Sequence, residues 1–412
     1  MGEWKKQTLG DLFLVKNDKT KQLNSTAYQA VGEYPIVDQS INHICGYSDE
    51  ALKLYNTNLP VTIFGDHTRH VKFIDFPFIA GADGTQLLKP ISLDDKYFYY
   101  IVLYASGKIG NYGYDRHLKH LKEYKADYST HKPTQRKIAH ILSTADAIIE
   151  KTQAAIAKYK AIKQGMLHDL FTRGIDLQTN KLRPTYEDAP ELYKESKLGW
   201  IPKEWEVIKI ENFASDEKNA IVDGPFGSNL KTIHYRTIGV PIIQSGFVTS
   251  NDFRAEKYLY VDNEKFQSEI RSKTLPGDII MAKIGAQCGK CAILPENHPV
   301  GILAGNCLKI TVEKKNSNIF LMSYLHFLYE TGLIDKIIST TAQPAVSMSS
   351  LKIMSVIYPD PIEQKRIADK LEIIKNKIQT EQTYQHKLHQ IKAGLMADLL
   401  SGKKRVNVEK DT

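Results

Sequence analysis

Cys288 and Cys291, separated by two residues, have the spacing in this chain that comes nearest to a metal site. A tetrahedral zinc site needs four ligands, usually supplied by two closely spaced pairs. His298 and Cys307 follow, but they do not form a second pair of standard spacing. We therefore interpret Cys288 and Cys291 as buried core residues, with a zinc- or thiol-dependent activity as the enzyme alternative. Cys45 stands alone and is also predicted to lie in the core.

Other arrangements that could support chemistry are weaker. The stretch from His67 to His70 holds two imidazoles, but its spacing matches no common helical metal site. Asp188 and Glu195 come nearest to a nuclease carboxylate cluster, and they lie in a polar segment. The chain has no G-x-x-x-x-G-K-S/T phosphate loop, no G-x-G-x-x-G after a strand, and no Asn-Pro-Pro-Tyr or Asp-Pro-Pro-Tyr element. We expect neither a catalytic centre nor a metal site in this chain.

The composition indicates an ordinary globular protein with a basic balance. Of the 412 residues, 42% are hydrophobic and 25% are charged, which argues against wholesale disorder. The net charge of +8 favours a polyanionic partner without proving one. Four cysteines in so long a chain do not make a disulfide framework, and they fit a reducing cytoplasm.

An internal repeat organises the chain. Residues 135–170 align without gaps onto residues 364–399, a shift of 229, with 12 identities in 36 pairs. Unrelated sequences of this composition would share about two. Both copies carry apolar residues at alternating three- and four-residue steps, which predicts long helices that pack on each other as a pair. The predicted seams are Ile138, Ile141, Ala145, Ile148, Ala155, Tyr159, Ile162 and Met166 in the first copy, and Ile367, Leu371, Ile374, Ile378, Tyr384, Leu388, Ile391 and Leu395 in the second.

The start of the second helix carries the signals of a capped helix. Asp360 can cap it, Pro361 suits the first helical position, and Glu363 can reach back to the cap. The interpretation that each helix instead belongs to the core of a separate bundle is the alternative.

Shorter matches precede both helices in the same order. The segment 34–37 (Tyr-Pro-Ile-Val) corresponds to 240–243 (Val-Pro-Ile-Ile), and 2–4 (Gly-Glu-Trp) corresponds to 203–205 (Lys-Glu-Trp). Runs rich in Val, Ile and Phe, such as 61–64 and 278–281, predict short strands, and 319–329 predicts a helix. The repeating unit is therefore a mainly β globular domain followed by a long helix.

Several segments resemble one known family. Residues 198–205 (Leu-Gly-Trp-Ile-Pro-Lys-Glu-Trp) resemble the opening of a target-recognition domain in type I restriction–modification specificity (S) subunits. Residues 358–368 resemble the entry into that family's conserved helix, and residues 283–290 resemble a strand–turn–strand inside its domains. Residues 341–344 followed by Leu351 resemble the loop before that helix. The first domain departs from the pattern, because it lacks the Gly-Trp-Ile-Pro element and has 65–69 (Gly-Asp-His-Thr-Arg) where the second has 284–288.

The repeat and the resemblance together predict an α+β fold. Two mainly β target-recognition domains are expected to be separated by an antiparallel pair of long, coiled-coil-like helices with pseudo-two-fold symmetry. The predicted boundaries are 1–131 for the first recognition domain, 132–174 for the central helix, 175–199 for an extended connector, 200–359 for the second recognition domain and 360–412 for the C-terminal helix.

The resemblance implies a non-catalytic subunit that directs other chains. It would bind double-stranded DNA, two methyltransferase (M) subunits and restriction (R) subunits, and so direct adenine methylation or ATP-dependent cleavage. S-adenosylmethionine, ATP and Mg²⁺ are expected on those partners, with no cofactor in this chain and no membrane contact. The expected location is the cytoplasm. An autonomous sequence-specific DNA-binding protein is the alternative among binding proteins.

Polar residues in loops between strands are the candidates for base contact, because Arg and Lys suit guanine and Asn and Gln suit adenine. Since the two globular domains differ, the target is predicted to be asymmetric and bipartite. Matching positions near the helix ends are candidates for subunit docking: Lys163, Gly165, Asp169, Lys392, Gly394 and Asp398. The DNA-binding candidates are His67, Arg69, His70, Tyr112, Tyr114, Arg116 and His117 in the first domain, and Ser228, Asn229, Lys231, His234, Tyr235, Arg236, Gln287, Lys290 and Gln343 in the second.

Overall fold

A computed structural model describes residues 4–111, 113, 115–249, 252–338 and 344–408. The chain divides into two compact units. Unit 1 comprises Met1–Ile156 and Thr380–Thr412, and unit 2 comprises Ala157–Gln379. Both boundaries fall inside long helices, because each unit takes the first part of one helix and the last part of the other. No helix within the described part of the chain is long and apolar enough to cross a membrane.

In the described part of unit 1, three sheets and two short helices accompany its parts of the two long helices. Strands β1 and β11 pair antiparallel, β2-β10-β7-β8 form an antiparallel sheet, and β3-β9-β4-β5 form a mixed sheet in which β6 also pairs with β9. The helices are α1 (Asp95–Ser106) and α2 (His117–Glu123). The strands are β1 (Trp4–Thr8), β2 (Phe13–Val15), β3 (Gln22–Leu23), β4 (Tyr34–Val37), β5 (Gly46–Ser48), β6 (Leu54–Tyr55), β7 (Val61–Gly65), β8 (Val71–Ile74), β9 (Phe78–Gly81), β10 (Thr85–Pro90) and β11 (Lys125–Ser129).

The long helices are α3 (Lys132–Thr172) and α7 (Pro361–Leu400). The described residues of unit 2 also form the helices α4 (Asn263–Ser268), α5 (Asn318–Glu330) and α6 (Met348–Ile353). Its strands are β12 (Tyr193–Ser196), β13 (Gly199–Pro202), β14 (Glu206–Lys209), β15 (Ile221–Asp223), β16 (Val240–Ile243), β17 (Val248–Thr249), β18 (Asp252–Phe253), β19 (Tyr260–Val261), β20 (Lys273–Thr274), β21 (Ile279–Ala282), β22 (Cys291–Ile293), β23 (Gly301–Leu303), β24 (Cys307–Ile310) and β25 (Ser355–Tyr358).

The globular parts of the two units share one topology. The sheet β15-β24-β21-β22 repeats the order of β2-β10-β7-β8, and β14 pairs with β25 as β1 pairs with β11. Parallel pairing of β16 with β23 likewise repeats that of β4 with β9. The strands predicted at 61–64 and 278–281 are the buried strands β7 and β21, and the helix predicted at 319–329 is α5. The repeat found in the sequence is therefore a repeat of the fold.

Two matching glutamines attach the long helices to the globular parts. Gln135 accepts a hydrogen bond from the main-chain N–H of Asp94 and donates to the carbonyl of Ser129. Gln364, at the equivalent position, accepts from the N–H of Ser317 and donates to the carbonyl of Pro359. Asp94 and Ser317 are the N-cap residues of α1 and α5. Both amides are buried. Glutamine occurs at this position in both copies of the repeat because it makes the same two hydrogen bonds to the main chain in each unit.

The long helices pack antiparallel within each unit. In unit 1 the core that includes Ile138 and Leu142 of α3 also includes Met396 and Leu399 of α7. In unit 2, Leu167 of α3 shares a core with the beginning of α7. Most of the predicted seam is correct, but Ile148, Ile162, Tyr384 and Ile391 are exposed instead. The buried positions Leu142, Ile149 and Ile156 recur every seven residues, one residue after the predicted Ile141, Ile148 and Ala155.

The predicted extended connector is in fact folded onto unit 2. Strands β12 and β13 form an antiparallel hairpin, and Tyr193 is buried. Arg183 is also buried, where its guanidinium binds both carboxylate oxygens of Glu363 at 2.6 and 3.1 Å. Glu363 further accepts from the indole N–H of Trp205 and from the N–H of Ile175. Glu363 therefore does not reach back to the helix cap as predicted, whereas Asp360 does cap α7 through the N–H of Ile362.

Two glycines allow tryptophans to pack at the helix ends. Gly174 has φ +67°, and a Cβ there would collide with the ring of Trp205. Gly402 has φ +71°, and a Cβ there would collide with the ring of Trp4. Each long helix therefore ends in a left-handed turn that leaves room for the tryptophan beginning the other globular part of the repeat.

The two units differ in the charge at one pair of matching positions on the long helices. In unit 1, Lys392 pairs with Asp146, which also accepts the Tyr100 hydroxyl hydrogen bond at 2.7 Å. At the equivalent positions in unit 2 both residues are lysines, Lys163 and Lys375, and they line a cavity of about 330 Å³. Lys375 pairs with Asp252 at 2.8 Å. Burial and then the neighbouring ammonium of Lys375 lower the pKa of Lys163.

His326 lines the same cavity and is expected to make unit 2 sensitive to acid. Burial, followed by the ammonium groups of Lys163 and Lys290, lowers the pKa of His326 to about 4. An unfolded histidine has a pKa of about 6.5. Between these two values the unfolded state binds the extra proton, so stability falls as the pH drops from 6.5 to 4. We expect this group to contribute a loss of about 2 kcal/mol, after allowance for its partial exposure.

Chemical denaturation at pH 7 and pH 4.5 measures this effect as a difference between variants. His326→Gln should be less sensitive to acid than the unchanged protein. The exposed His389→Gln on α7 is the matched control and should keep the full pH dependence. Equal pH dependence in all three proteins would contradict the assignment.

Candidate nucleic-acid interface

In unit 1 the described candidates for base contact, which are His67, Arg69, His70, Arg116 and His117, come together beside the end of strand β7 in the sheet β2-β10-β7-β8. Residues 66–70 follow β7 as a tight turn, closed by hydrogen bonds from Arg69 N to Gly65 O and from Gly65 N to His70 O. Arg69 has φ +61°, which places its side chain toward residues 107–117. Its guanidinium donates to the carbonyl of Ile109 at 3.0 Å. We call residues 66–70, 107–111, 113 and 115–117 loop cluster 1.

The predicted residues of loop cluster 1 differ in how far their side chains are exposed to solvent. His67 and Arg116 are exposed, whereas Arg69 and His70 are partly buried. His117 is fully buried, and both its N–H and its ring nitrogen Nδ1 lie within hydrogen-bond distance of the carbonyl of Asp66. The prediction that His117 contacts DNA is therefore wrong, because its side chain holds the loop together. Tyr112 and Tyr114 lie outside the described residues.

Asp66 is the organising residue of loop cluster 1 that sequence reasoning missed. Its side chain is 2% exposed and accepts from the N–H of Leu118 at the start of α2. The N–H of Asp66 donates to Gly84, which joins the loop to the beginning of β10. No local signal could have identified it, since the helix it caps begins about fifty residues later in the chain.

Unit 2 has the corresponding edge at the ends of β15 and β21 and the start of β24. Lys283 N donates to the carbonyl of Asn306, and Gly224 N donates to that of Cys307. Gly285 N donates to Pro344 O, so the loop before α6 also reaches this edge. We call residues 224–229, 283–290 and 304–306 loop cluster 2. It contains the predicted residues Asn229, Gln287 and Lys290.

The predicted residues of loop cluster 2 differ in solvent exposure. Asn229 and Gln287 are exposed, and Lys290 is partly buried with its ammonium 5.7 Å from the ring centroid of Tyr329. The predicted strand–turn–strand is confirmed as β21 and β22. Gln343 and the side chain of Ser228 lie outside the described residues.

Residues 231–236 continue from loop cluster 2 along the chain. Lys231 is exposed, and its N–H donates to Nδ1 of His234 at 3.0 Å. Arg236 pairs with Asp262 at 2.9 Å and also donates to two main-chain carbonyls. Tyr235 packs against a small apolar core. The side chains of His234, Tyr235 and Arg236 therefore hold this segment together, whereas Lys231 is exposed.

Sequence reasoning also missed a charged cluster beneath loop cluster 2. Asp223 pairs with Lys283 at 2.8 Å and with Arg271 at 2.6 Å. Arg271 is 48 positions away in the chain. Nothing in the local sequence links these two residues, although the position of Lys283 after a buried strand could have suggested the edge. The cluster fixes two cations beside the loops.

Three of the four cysteines lie in the interior of unit 2. Cys288, Cys291 and Cys307 are buried, and burial raises the pKa of the Cys291 thiol to about 12. Cys45, in unit 1, is only partly buried and donates to the carboxylate of Asp38. Among the described residues, no group of three or more His, Cys, Asp or Glu is placed to hold a metal ion. These thiols therefore act as core side chains in the structure.

The predicted docking residues fall into two groups. Gly165 and Gly394 are exposed, and a Cβ at either would meet open space. Lys163 and Lys392 are partly buried inside their own units, so their charges are not presented at the surface as expected. Asp169 and Asp398 form local ion pairs, with Arg173 and with Lys403 and Lys404 respectively.

The family of the chain follows from comparison with known proteins. The family model described as "Type I restriction modification DNA specificity domain" matches residues 1–158 and 202–390. The chain belongs to this family. Its two matched segments begin in the first globular part and in the second, and each runs into a long helix. Each unit therefore carries the main part of one specificity domain.

Relatives of these specificity domains are similar in sequence and in fold. The MjaVIII type I restriction enzyme specificity subunit of Methanocaldococcus jannaschii is 26% identical over 277 residues, covering 66% of this chain and 60% of that protein. The chain thus matches about three fifths of that relative's length. A solved structure of a type I restriction–modification S subunit from M. genitalium covers 97% of this chain and 96% of its own, with a TM-score of 0.61 at 16% identity. A structure concerned with complex assembly and conformational transition of the type I system covers 98% of both chains, with a TM-score of 0.53 at 12% identity.

Proposed function

We propose that this chain is the DNA sequence-specificity subunit of a type I restriction–modification complex. The observation that carries the proposal is the presence of two loop clusters at the same edge of two copies of one fold, both inside family-matched segments. Each cluster offers Arg, Lys, Asn, Gln or His side chains, which are the types that bind base edges and phosphates. The chain would read double-stranded DNA and leave the chemistry to partners.

The two clusters differ in residues although their scaffolds match. Cluster 1 presents His67 and Arg116, and cluster 2 presents Asn229 and Gln287. Different side chains on the same scaffold read different bases, so the target should consist of two unlike half-sites. We propose an asymmetric, bipartite target with an unread spacer.

Partner chains would supply catalysis. We propose that two methyltransferase subunits carry S-adenosylmethionine and that restriction subunits carry ATP and Mg²⁺, and that together they direct adenine methylation or ATP-dependent cleavage. The absence of a phosphate loop and of a methyltransferase element from this sequence supports the proposal. Because the target is genomic DNA, the complex would work in the cytoplasm.

Mapping of modified adenines tests this function directly. Genomes from cells with and without this gene would be compared by long-read methylation sequencing. We expect one asymmetric, interrupted motif that is methylated only when the gene is present. A continuous or palindromic motif, or no change in methylation, would contradict the proposal. Specific DNA binding by the isolated chain with no methyltransferase partner would favour an autonomous DNA-binding protein instead.

Docking of the methyltransferase subunits is proposed at two matching helix positions. Ile162 and Ile391 occupy equivalent positions of the repeat, next to the open Gly165 and Gly394, and they are 39% and 52% exposed. Exposed apolar side chains beside a residue without a side chain let a partner helix approach closely. One such patch in each unit supports two M subunits per chain.

Substituting these isoleucines should reduce assembly stepwise. Ile162→Asp or Ile391→Asp should lower the number of co-purified methyltransferase subunits from two to one, and the double variant should lower it to none, because a buried unpaired carboxylate is costly. Mass photometry of the purified complex measures this. Leu52→Asp is the control, since Leu52 is 93% exposed and lies outside both long helices. Full assembly of the double variant would contradict the docking site.

A further inference from the structure

Phe226 is a large apolar side chain held in the open within loop cluster 2. Its side chain is 46% exposed, although it follows directly after the buried residues Gly224 and Pro225. A Cβ on Gly224 would collide with the carbonyl of Ala304, and a Cβ on Gly305 would crowd the carbonyl of Pro225. The two glycines therefore let the backbone segments touch, and this contact fixes the base of the Phe226 loop.

A lysine supports one face of the Phe226 ring. The ammonium of Lys283 lies 3.8 Å from the ring centroid, a distance typical of a cation–π contact. Lys283 is only 12% exposed and is held in place by its ion pair with Asp223. Asp223 also pairs with Arg271, so two cations share this carboxylate. The ring is thus held on one face by Lys283, which belongs to a cluster of two cations and one anion.

The surroundings of the Phe226 ring indicate what kind of ligand it can bind. An exposed aromatic ring gains free energy when it meets an apolar group, and the positive charge around it favours a polyanion. In the major groove of DNA the prominent apolar group is the C5-methyl of thymine, which Phe can contact. The N–H of Asn229, a candidate base-contacting residue, donates to the carbonyl of Phe226 at 3.1 Å, so both belong to one turn.

We propose that Phe226 is a specificity-determining residue that contacts the C5-methyl group of a thymine in the half-site bound by unit 2. The inference rests on the proposed DNA-binding function. It adds an A·T pair to that half-site and assigns its recognition to an apolar contact rather than to a hydrogen bond.

Replacing single thymines by deoxyuridine removes the proposed contact without changing any hydrogen bond. The assembled complex with its methyltransferase would be titrated against duplexes that carry the methylation-mapped target with one uracil at a time. We expect one position in one half-site to weaken binding about three- to fivefold, as the loss of one buried methyl group predicts. In Phe226→Ala the thymine and uracil duplexes should bind equally at that position.

Two controls keep the test independent of folding. Ile233→Ala removes another exposed apolar side chain of unit 2, 76% exposed, and should keep the sensitivity to uracil. In the unchanged complex, 5-iodouracil at the sensitive position should photocrosslink to the peptide that contains Phe226. The inference is overturned if no uracil position weakens binding, if Phe226→Ala keeps the sensitivity, or if the crosslink falls elsewhere. Failure of the unchanged complex to prefer its mapped target would instead refute the proposed function.

Discussion

Replacing Glu363 by glutamine is expected to lower the free energy of unfolding of unit 2 by about 3–5 kcal/mol. Glu363 is 1% exposed and lies at the centre of a buried network. Its carboxylate binds the guanidinium of Arg183 through both oxygens and accepts hydrogen bonds from Trp205 and Ile175. Glutamine removes the buried negative charge and leaves the Arg183 cation with only the exposed carboxylate of Glu204, 3.6 Å from its Nε, which is a weak substitute for a buried counter-ion.

Native-state hydrogen exchange measures this loss without requiring the chain to unfold in one step. Peptides from α5 should exchange faster in Glu363→Gln, whereas peptides from α1 in unit 1 should be unchanged. Glu372→Gln is the matched control, because Glu372 is exposed on the same helix. A second variant that also replaces Arg183 by methionine should recover part of the stability, since neither charge is then left unpaired. A change below about 1 kcal/mol in Glu363→Gln would show that the network contributes little.

Replacing Gln135 or Gln364 by leucine is expected to destabilise one unit each, by about 2–4 kcal/mol. Each amide satisfies one main-chain N–H and one main-chain carbonyl, and leucine would leave both without partners. Gln135→Leu should therefore speed exchange in α1 and leave α5 protected, and Gln364→Leu should do the reverse.

The repeat supplies its own control for this pair. Gln153 and Gln382 are also identical at equivalent positions, but both are exposed. Their leucine variants should change stability by less than about 0.5 kcal/mol. If the leucine variants of Gln135 and Gln364 each affected both units equally, the assignment of one anchoring glutamine to each unit would be wrong.

Features repeated in the sequence were predictable, and features produced by distant contacts were not. The two long helices could be predicted from the twelve identities between the repeats and their apolar spacing. Buried strands such as β7 and β21 could be predicted from short apolar runs. The binding partners of Glu363 could not be foreseen, since Arg183 is 180 positions away. The folded connector was missed because its hairpin alternates weakly between apolar and polar residues and derives its order from packing on unit 2.

The candidate site could also be predicted only in part from the sequence. The loop after β7 in unit 1 and the loops after β15 and β21 in unit 2 lie at the same end of matching sheets, because the two units share one strand order. The segment between α1 and α2 in unit 1 is brought there by contacts with the loop after β7. Residue type alone could not separate an exposed His67 from a buried His117 in the same cluster. Phe226 was missed because the prediction considered only polar side chains as base contacts.

The division of both long helices between the units has a consequence for biosynthesis. Unit 2 is one continuous stretch, Ala157–Gln379, whereas unit 1 needs Met396, Leu399 and Leu400 to complete its core. Domains usually fold in the order in which the ribosome releases them. Here unit 1, although most of it precedes unit 2 in the chain, is completed later, once the end of α7 has been translated. A premature stop codon just before α7 ends would therefore leave unit 1 with an open apolar surface, which is a substrate for chaperones and proteases.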